Sequence, residues 1–472
     1  MANLNELQLG SVRTLVAAAS DSALRDLQTS LSTGSGRHEG MRAIQQMVAA
    51  ETSERLARVT VFAPLAPLCS PPREGWRGML FPPSALVHVW RALKLESPRE
   101  IQAATIGVNT NTGEPLSGTT FDGLCLQAAV GLRARSNPSY EAAANLLDKA
   151  HPNGAELFAS YLDITPVARA ALDRMPEWLG RLNDERAAAM RVAFKDAVDV
   201  AEDAGPRLLE ILFAHLEEPW AILRVVSAVM HRPSDKYVAN SELATFGSRL
   251  MDDIDDRLKI VVTFNPDGGE NAGLVSGGAL RMAALEIYEF DESVELSGEG
   301  PWGSRLNRQK RGLVQTVEGK LKVVENHVSA ALPIQSPKTR GARGHPRLNQ
   351  EPDARLVSRA RAYLTFMHEA RHASDKLGYG TLWNKAAESL QIRLDTYVED
   401  LLDMLRTGEE GDDPERVKEF LDIAAEFLGL AFDERAAQIV RRRMAAARAM
   451  IKAATATEIR AARSQNSSMP PG

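Results

Sequence analysis

Three residues invite a chemical reading first. His368, Glu369 and His372 stand in the order H-E-x-x-H, inside a stretch from Asp353 to Leu377 that has the apolar periodicity of a helix. Side chains four apart on a helix lie one turn apart on one face, so both imidazoles reach a single zinc ion. The glutamate between them then takes a proton from a metal-bound water, and the chemistry is metal-assisted hydrolysis of a peptide or similar carbonyl.

The pattern resembles that of the gluzincin metallopeptidases. In that family the third ligand is a glutamate on a following helix, often with an aspartate four residues later. The resemblance therefore implies Glu399 as third ligand, with Asp403 beside it, 27 residues past His372. It covers five residues and this acidic pair. Arg371 stands where these peptidases usually carry an uncharged residue, and no histidine follows His372, which excludes the longer three-histidine motif.

Helical phase adds a second expectation. Leu356, Ala360, Tyr363, Met367, Ala370, Ser374 and Leu377 form a heptad-like stripe that reads as the core face. The histidines point away from it, on a face shared with Arg361, Thr365 and Lys376. That is the composition of a solvated helix surface, and its cations oppose a bound dication. A solvated surface is the leading expectation. The alternative is a zinc site with ligands His368, His372 and Glu399 and Glu369 as base.

The elements that must position these residues read as helices almost throughout. Ser97-Pro98-Arg99-Glu100 combines an N-cap oxygen, a proline at the first helical position and a capping-box glutamate, and Thr165-Pro166 and Asp413-Pro414 repeat the cap-then-proline pair. Leu208, Leu209, Leu212 and Leu216, then Ile222, Val225, Val226 and Val229, recur at helical spacing on either side of Glu217-Glu218-Pro219. This pair at 206–230, with Arg224 in its second helix, resembles one HEAT-type hairpin, without a second copy at a fixed period. Pro64 to Pro83 and Asn109 to Gly123 read as ordered loops, and a long helix is expected from Gly303 to Ala331. Strand signals are confined to Lys259–Phe264 and Leu285–Tyr288, and the Gly-rich runs Asp267–Gly273 and Ser276–Gly278 read as turns. The expected fold is all-α, with minor β at most. An irregular helical domain over 1–265 precedes an antiparallel helical bundle over 266–472, with helices near 353–378, 381–406, 414–429 and 433–463. The second half carries a flexible basic loop at 333–352, with Lys338, Arg340, Arg343 and Arg347, and a disordered tail from about 464.

Composition narrows the partners. A net charge of -6 opposes general attraction to nucleic acid or anionic lipid. The basic C-terminal helix, with Arg435, Arg441, Arg442, Arg443, Arg448, Lys452, Arg460 and Arg463, reads as a solvated face paired with acidic helices. Cys69 and Cys125 stand in no CxxC or Cys/His spacing, the first residues lack a basic signal region, and no apolar run approaches a membrane span. A reducing, cytoplasmic setting is the expectation. Phosphate-cradling glycine motifs are missing as well, and the other seven histidines have no visible catalytic partner. The functional expectation is therefore a scaffold or adaptor that binds another protein through a groove between its helical halves, without a cofactor. The zinc-dependent hydrolase is the alternative.

Overall fold

The computed structural model describes residues 6–33, 39–72, 76–109, 118–180, 183–230, 234–335, 344–407 and 413–466. The chain is all-α. It divides into two compact units, one formed by 1–233 with 241–246, the other by 234–240 with 247–472. The division expected near 265 falls inside the second unit.

The first unit carries α1 (Glu6–Ala18), α2 (Asp21–Thr33), α3 (Glu39–Val61), α4 (Pro83–Glu96), α5 (Pro98–Asn109) and α6 (Gly118–Ala134). It continues with α7 (Pro138–Ala150), α8 (Gly154–Asp163), α9 (Thr165–Trp178), α10 (Asp184–Val200), α11 (Ala204–His215) and α12 (Ile222–Val229). Two lone histidines hold its proline-rich loop: His215 Nε2 lies 3.0 Å from the Pro64 carbonyl oxygen and His151 Nε2 lies 2.5 Å from that of Leu80. Both thiols are buried, and burial pushes each up to about 12, so neither supplies a thiolate at neutral pH.

Two local expectations change here. Thr165 sits inside α9 rather than capping it, and its hydroxyl donates back to the Tyr161 carbonyl at 3.2 Å. Residues 118–123, read as loop, form the first turns of α6, while 110–117 lie outside the described residues.

In the second unit, α13 (Asp235–Ala239) is followed by α14 (Ala244–Val262, from Gly247 onward), α15 (Gly269–Ser293), α16 (Pro301–Ala331), α17 (Ala354–Ala370) and α18 (Ser374–Leu377). The chain then runs through α19 (Gly380–Thr407), α20 (Pro414–Ala431) and α21 (Glu434–Asn466). The single sheet among the described residues pairs Ile334–Gln335 with His345–Pro346, antiparallel. Both strand candidates are helical. Lys259–Val262 closes α14, with Val261 buried between exposed Ile260 and Val262, and Leu285–Tyr288 belongs to α15. The Gly-rich runs are not turns either, since from Gly269 onward they form the first half of α15. Residues 336–343 of the basic loop and 467–472 of the tail lie outside the described residues.

Distant residues complete helix ends that sequence leaves bare. Gly300 precedes α16 without a side chain to cap it. Buried Asp235 does so instead, accepting from the amides of Trp302 and Gly303 at 3.0 Å each.

Candidate functional site

The stretch around 368–372 is shaped by an unusually close helix pair. In α15, Gly269, Gly273 and Gly277 recur every four residues and so line one face. A Cβ on Gly273 would lie 2.5 Å from the Ala362 carbonyl oxygen and 2.8 Å from Thr365 Cβ, and one on Gly277 would lie 2.3 Å from Glu369 Cβ. Helices α15 and α17 therefore meet with almost no side chain between them, running parallel, with Gly269 at Ser358 and Gly277 at Glu369. This departs from the solvated reading of the histidine face at Thr365, while His372 is exposed. Thr365, expected on the surface, is 4% exposed against Gly273, and Glu369 is half-buried over Gly277. Of the expected core stripe, Ala360, Met367, Ala370, Ser374 and Leu377 are buried, whereas Leu356 and Tyr363 are half-buried.

The helix does not run through the motif. Two later residues take the terminal carbonyls of α17: Trp383 Nε1 donates to Met367 at 2.8 Å and Tyr379 Oη donates to Ala370 at 2.5 Å. Gly378, at φ +78°, permits the left-handed turn that folds Tyr379 back, with its amide donating to the Ser374 carbonyl at 3.0 Å. The chain passes Ala370 into a 3-10 turn, Arg371–Ala373, and His372 lies in that turn.

His368 is half-buried and His372 exposed, with ring centroids 6.2 Å apart and planes at 81°. Glu369 faces Arg281 of α15 at 3.9 Å. Glu399 is elsewhere: both its oxygens lie 2.6 Å from the Arg443 guanidinium of α21, which holds the carboxylate below its usual range. Asp403 pairs with Arg406 at 3.0 Å. Among the described residues no group of three His, Cys, Asp or Glu side chains is placed to hold a metal ion, so the two imidazoles stand there without a third protein donor.

What the structure does bring together was not anticipated. On the outer side of α15, Leu274, Gly278, Arg281, Leu285 and Tyr288 follow one another at spacings of four and three, flanked by Val275 and Met282. Leu274 is 46%, Val275 54% and Tyr288 41% exposed, and no atom lies within 4 Å of the position a Cβ would take on Gly278. The 371–377 segment packs beside this stripe and brings Arg371 and Lys376 to it, with exposed Asp375 between them. The Lys376 ammonium sits over the Tyr288 ring at 3.9 Å, and the Arg371 guanidinium lies 5.4 Å from the Trp383 ring centroid. Neither cation has a carboxylate partner among the described residues. The heptad spacing was visible in sequence, masked by a glycine and an arginine within it.

Two cations of α21 are paired. Arg448 meets Glu415 at 2.9 Å and Arg441 meets Glu434 at 2.7 Å, while the side chains of Lys452, Arg460 and Arg463 lie outside the described residues. No described helix is long and apolar enough to cross a membrane. The fold thus defines an all-α protein of two units with an uncovered apolar helix face. The chain matches no protein-family model, no curated protein and no solved structure.

Proposed function

We propose that this protein is a helical scaffold that binds another protein along the outer face of α15. The observation that supports this reading is the heptad-spaced stripe on α15, with Leu274, Val275 and Tyr288 exposed and Gly278, Met282 and Leu285 half-buried, beside the face that is locked against α17. Large apolar side chains scattered singly are ordinary on a surface, but a row of them at coiled-coil spacing is the form an amphipathic helix recognises. The stripe runs from Leu274 to Tyr288, about four turns and roughly 21 Å at 1.5 Å per residue. A partner helix of similar length covers it.

The test is a photo-crosslinking amino acid placed at Leu274 in the native cell, with the same group at Ile392, an exposed residue of α19, as control. One reproducible protein adduct is expected at 274, absent at 392 and lost when Val275→Asp is added. Equal labelling at both positions, or adducts insensitive to Val275→Asp, would refute the proposal.

A further inference from the structure

We infer that the partner segment is an acidic amphipathic helix whose carboxylates accept from Arg371 and Lys376. This rests on the scaffold reading and adds to it the chemistry of the occupant.

Some described arginines are engaged by carboxylates, as at Arg133, Arg305 and Arg443. Arg371 and Lys376 are placed differently. Each is held on an aromatic ring, over Trp383 and Tyr288, and neither meets an anion of its own chain among the described residues. A cation stacked on a ring loses less side-chain freedom when it pairs than a free surface lysine does, because its stem is already placed. Arg281, on the stripe itself, has only a long 3.9 Å contact with Glu369, and exposed His372 lies on the same edge. The donors all sit on the side of α15 that meets the 371–377 segment. The side toward α14 carries the Asp253 carboxylate, already paired with Arg257 at 2.6 Å.

An incoming helix therefore lays apolar residues on Leu274, Leu285 and Tyr288 and keeps its acidic flank toward Arg371 and Lys376. Charge on that edge sets its orientation and its salt sensitivity.

The experiment uses the full chain and two synthetic helical peptides with the same Leu/Ala heptad face, one flanked by Glu and one by Lys, followed by fluorescence anisotropy. Tenfold or tighter binding of the Glu peptide is expected at low salt, narrowing as ionic strength rises. Arg371→Gln with Lys376→Gln should remove the preference and leave residual binding to both peptides, and Leu274→Asp should abolish binding. Equal or stronger binding of the Lys peptide overturns the acidic-partner inference, as does a Glu preference that survives the double variant. So does saturable binding to phosphatidylserine vesicles that the double variant abolishes, since the same cations would then serve a lipid surface. Failure of both peptides together with no adduct at position 274 refutes the scaffold reading itself.

Discussion

The α15–α17 seam makes a prediction in which two glycines five residues apart respond with opposite signs. Replacing a helical glycine by alanine stabilises an exposed site by about 1 kcal/mol, because the folded helix gains propensity and the unfolded chain loses freedom. Gly278 meets that condition, with open space where the Cβ would go. At Gly273 the same methyl falls 2.5 Å from the Ala362 carbonyl oxygen and 3.0 Å from the Phe366 amide nitrogen, both backbone atoms that no rotamer change can clear. To reach even the 3.0 Å at which real contacts begin, the helices must part by about 0.5 Å, and a gap of that size forfeits roughly a quarter of the dispersion energy along the seam. Overpacking of this kind costs about 1–3 kcal/mol, more than the propensity gain. Gly278→Ala should raise the midpoint of urea unfolding and Gly273→Ala should lower it, with m unchanged in both. A Gly273→Ala protein as stable as Gly278→Ala would refute the close parallel packing and, with it, the placement of Glu369.

Three further outcomes follow from other parts of the second unit. Burial, then the neighbouring Asp253 carboxylate, pushes Glu286 up to about 9 against the opposing pull of Arg257. The folded state thus keeps a proton that the unfolded chain releases, stability falls as pH rises from the ordinary carboxylate range toward 9, and the slope is about 1.4 kcal/mol per pH unit at most. Denaturant titrations between pH 6 and 8.5 should show that fall, and Glu286→Gln should flatten it; an unchanged slope in the variant would count against the buried proton. Asp235→Ala removes the acceptor of the Trp302 and Gly303 amides and should cost about 2 kcal/mol, with Asp235→Asn costing less; Gly300→Ala, whose Cβ would fall 1.8 Å from Asp235 Oδ2, should be at least as damaging. Dialysis against a chelator should leave Tm unchanged, since His368 and His372 have no third protein donor among the described residues; a drop on metal removal that His372→Ala abolishes would refute that placement.

What sequence reveals here is what is decided locally. The Asp413 carboxylate accepts from the Glu415 amide at 3.0 Å as its cap-then-proline signal requires, and the long helix expected from Gly303 begins at Pro301. The failures are places where a partner distant in sequence outweighs local propensity. Ile260, Val261 and Val262 favour a strand on their own, but burial of Val261 alone fits a helix packed along one side. The glycines of α15 read as turns because glycine is a poor helix former, yet their lost propensity is offset by a contact with α17 that only glycine permits. Glu399 stands at a reasonable spacing for a ligand, and spacing does not record that its side chain meets Arg443, 44 residues further on.

The same seam shapes the surroundings of the H-E-x-x-H pattern. Because Gly277 carries no side chain, Glu369 packs down onto α15 and faces Arg281 at 3.9 Å. Tyr379 and Trp383 take the carbonyls of Ala370 and Met367, the chain tightens into a 3-10 turn after Ala370, and the His368 and His372 rings stay 6.2 Å apart. Beside the outer stripe of α15, Trp383 steadies Arg371 and Tyr288 steadies Lys376. An H-E-x-x-H spacing specifies metal chemistry only on a continuous helix facing a cleft that contains a third donor. Here a 3-10 turn follows Ala370, Glu369 faces Arg281 of the neighbouring helix at 3.9 Å, and Arg371 and Lys376 lie over aromatic rings beside it.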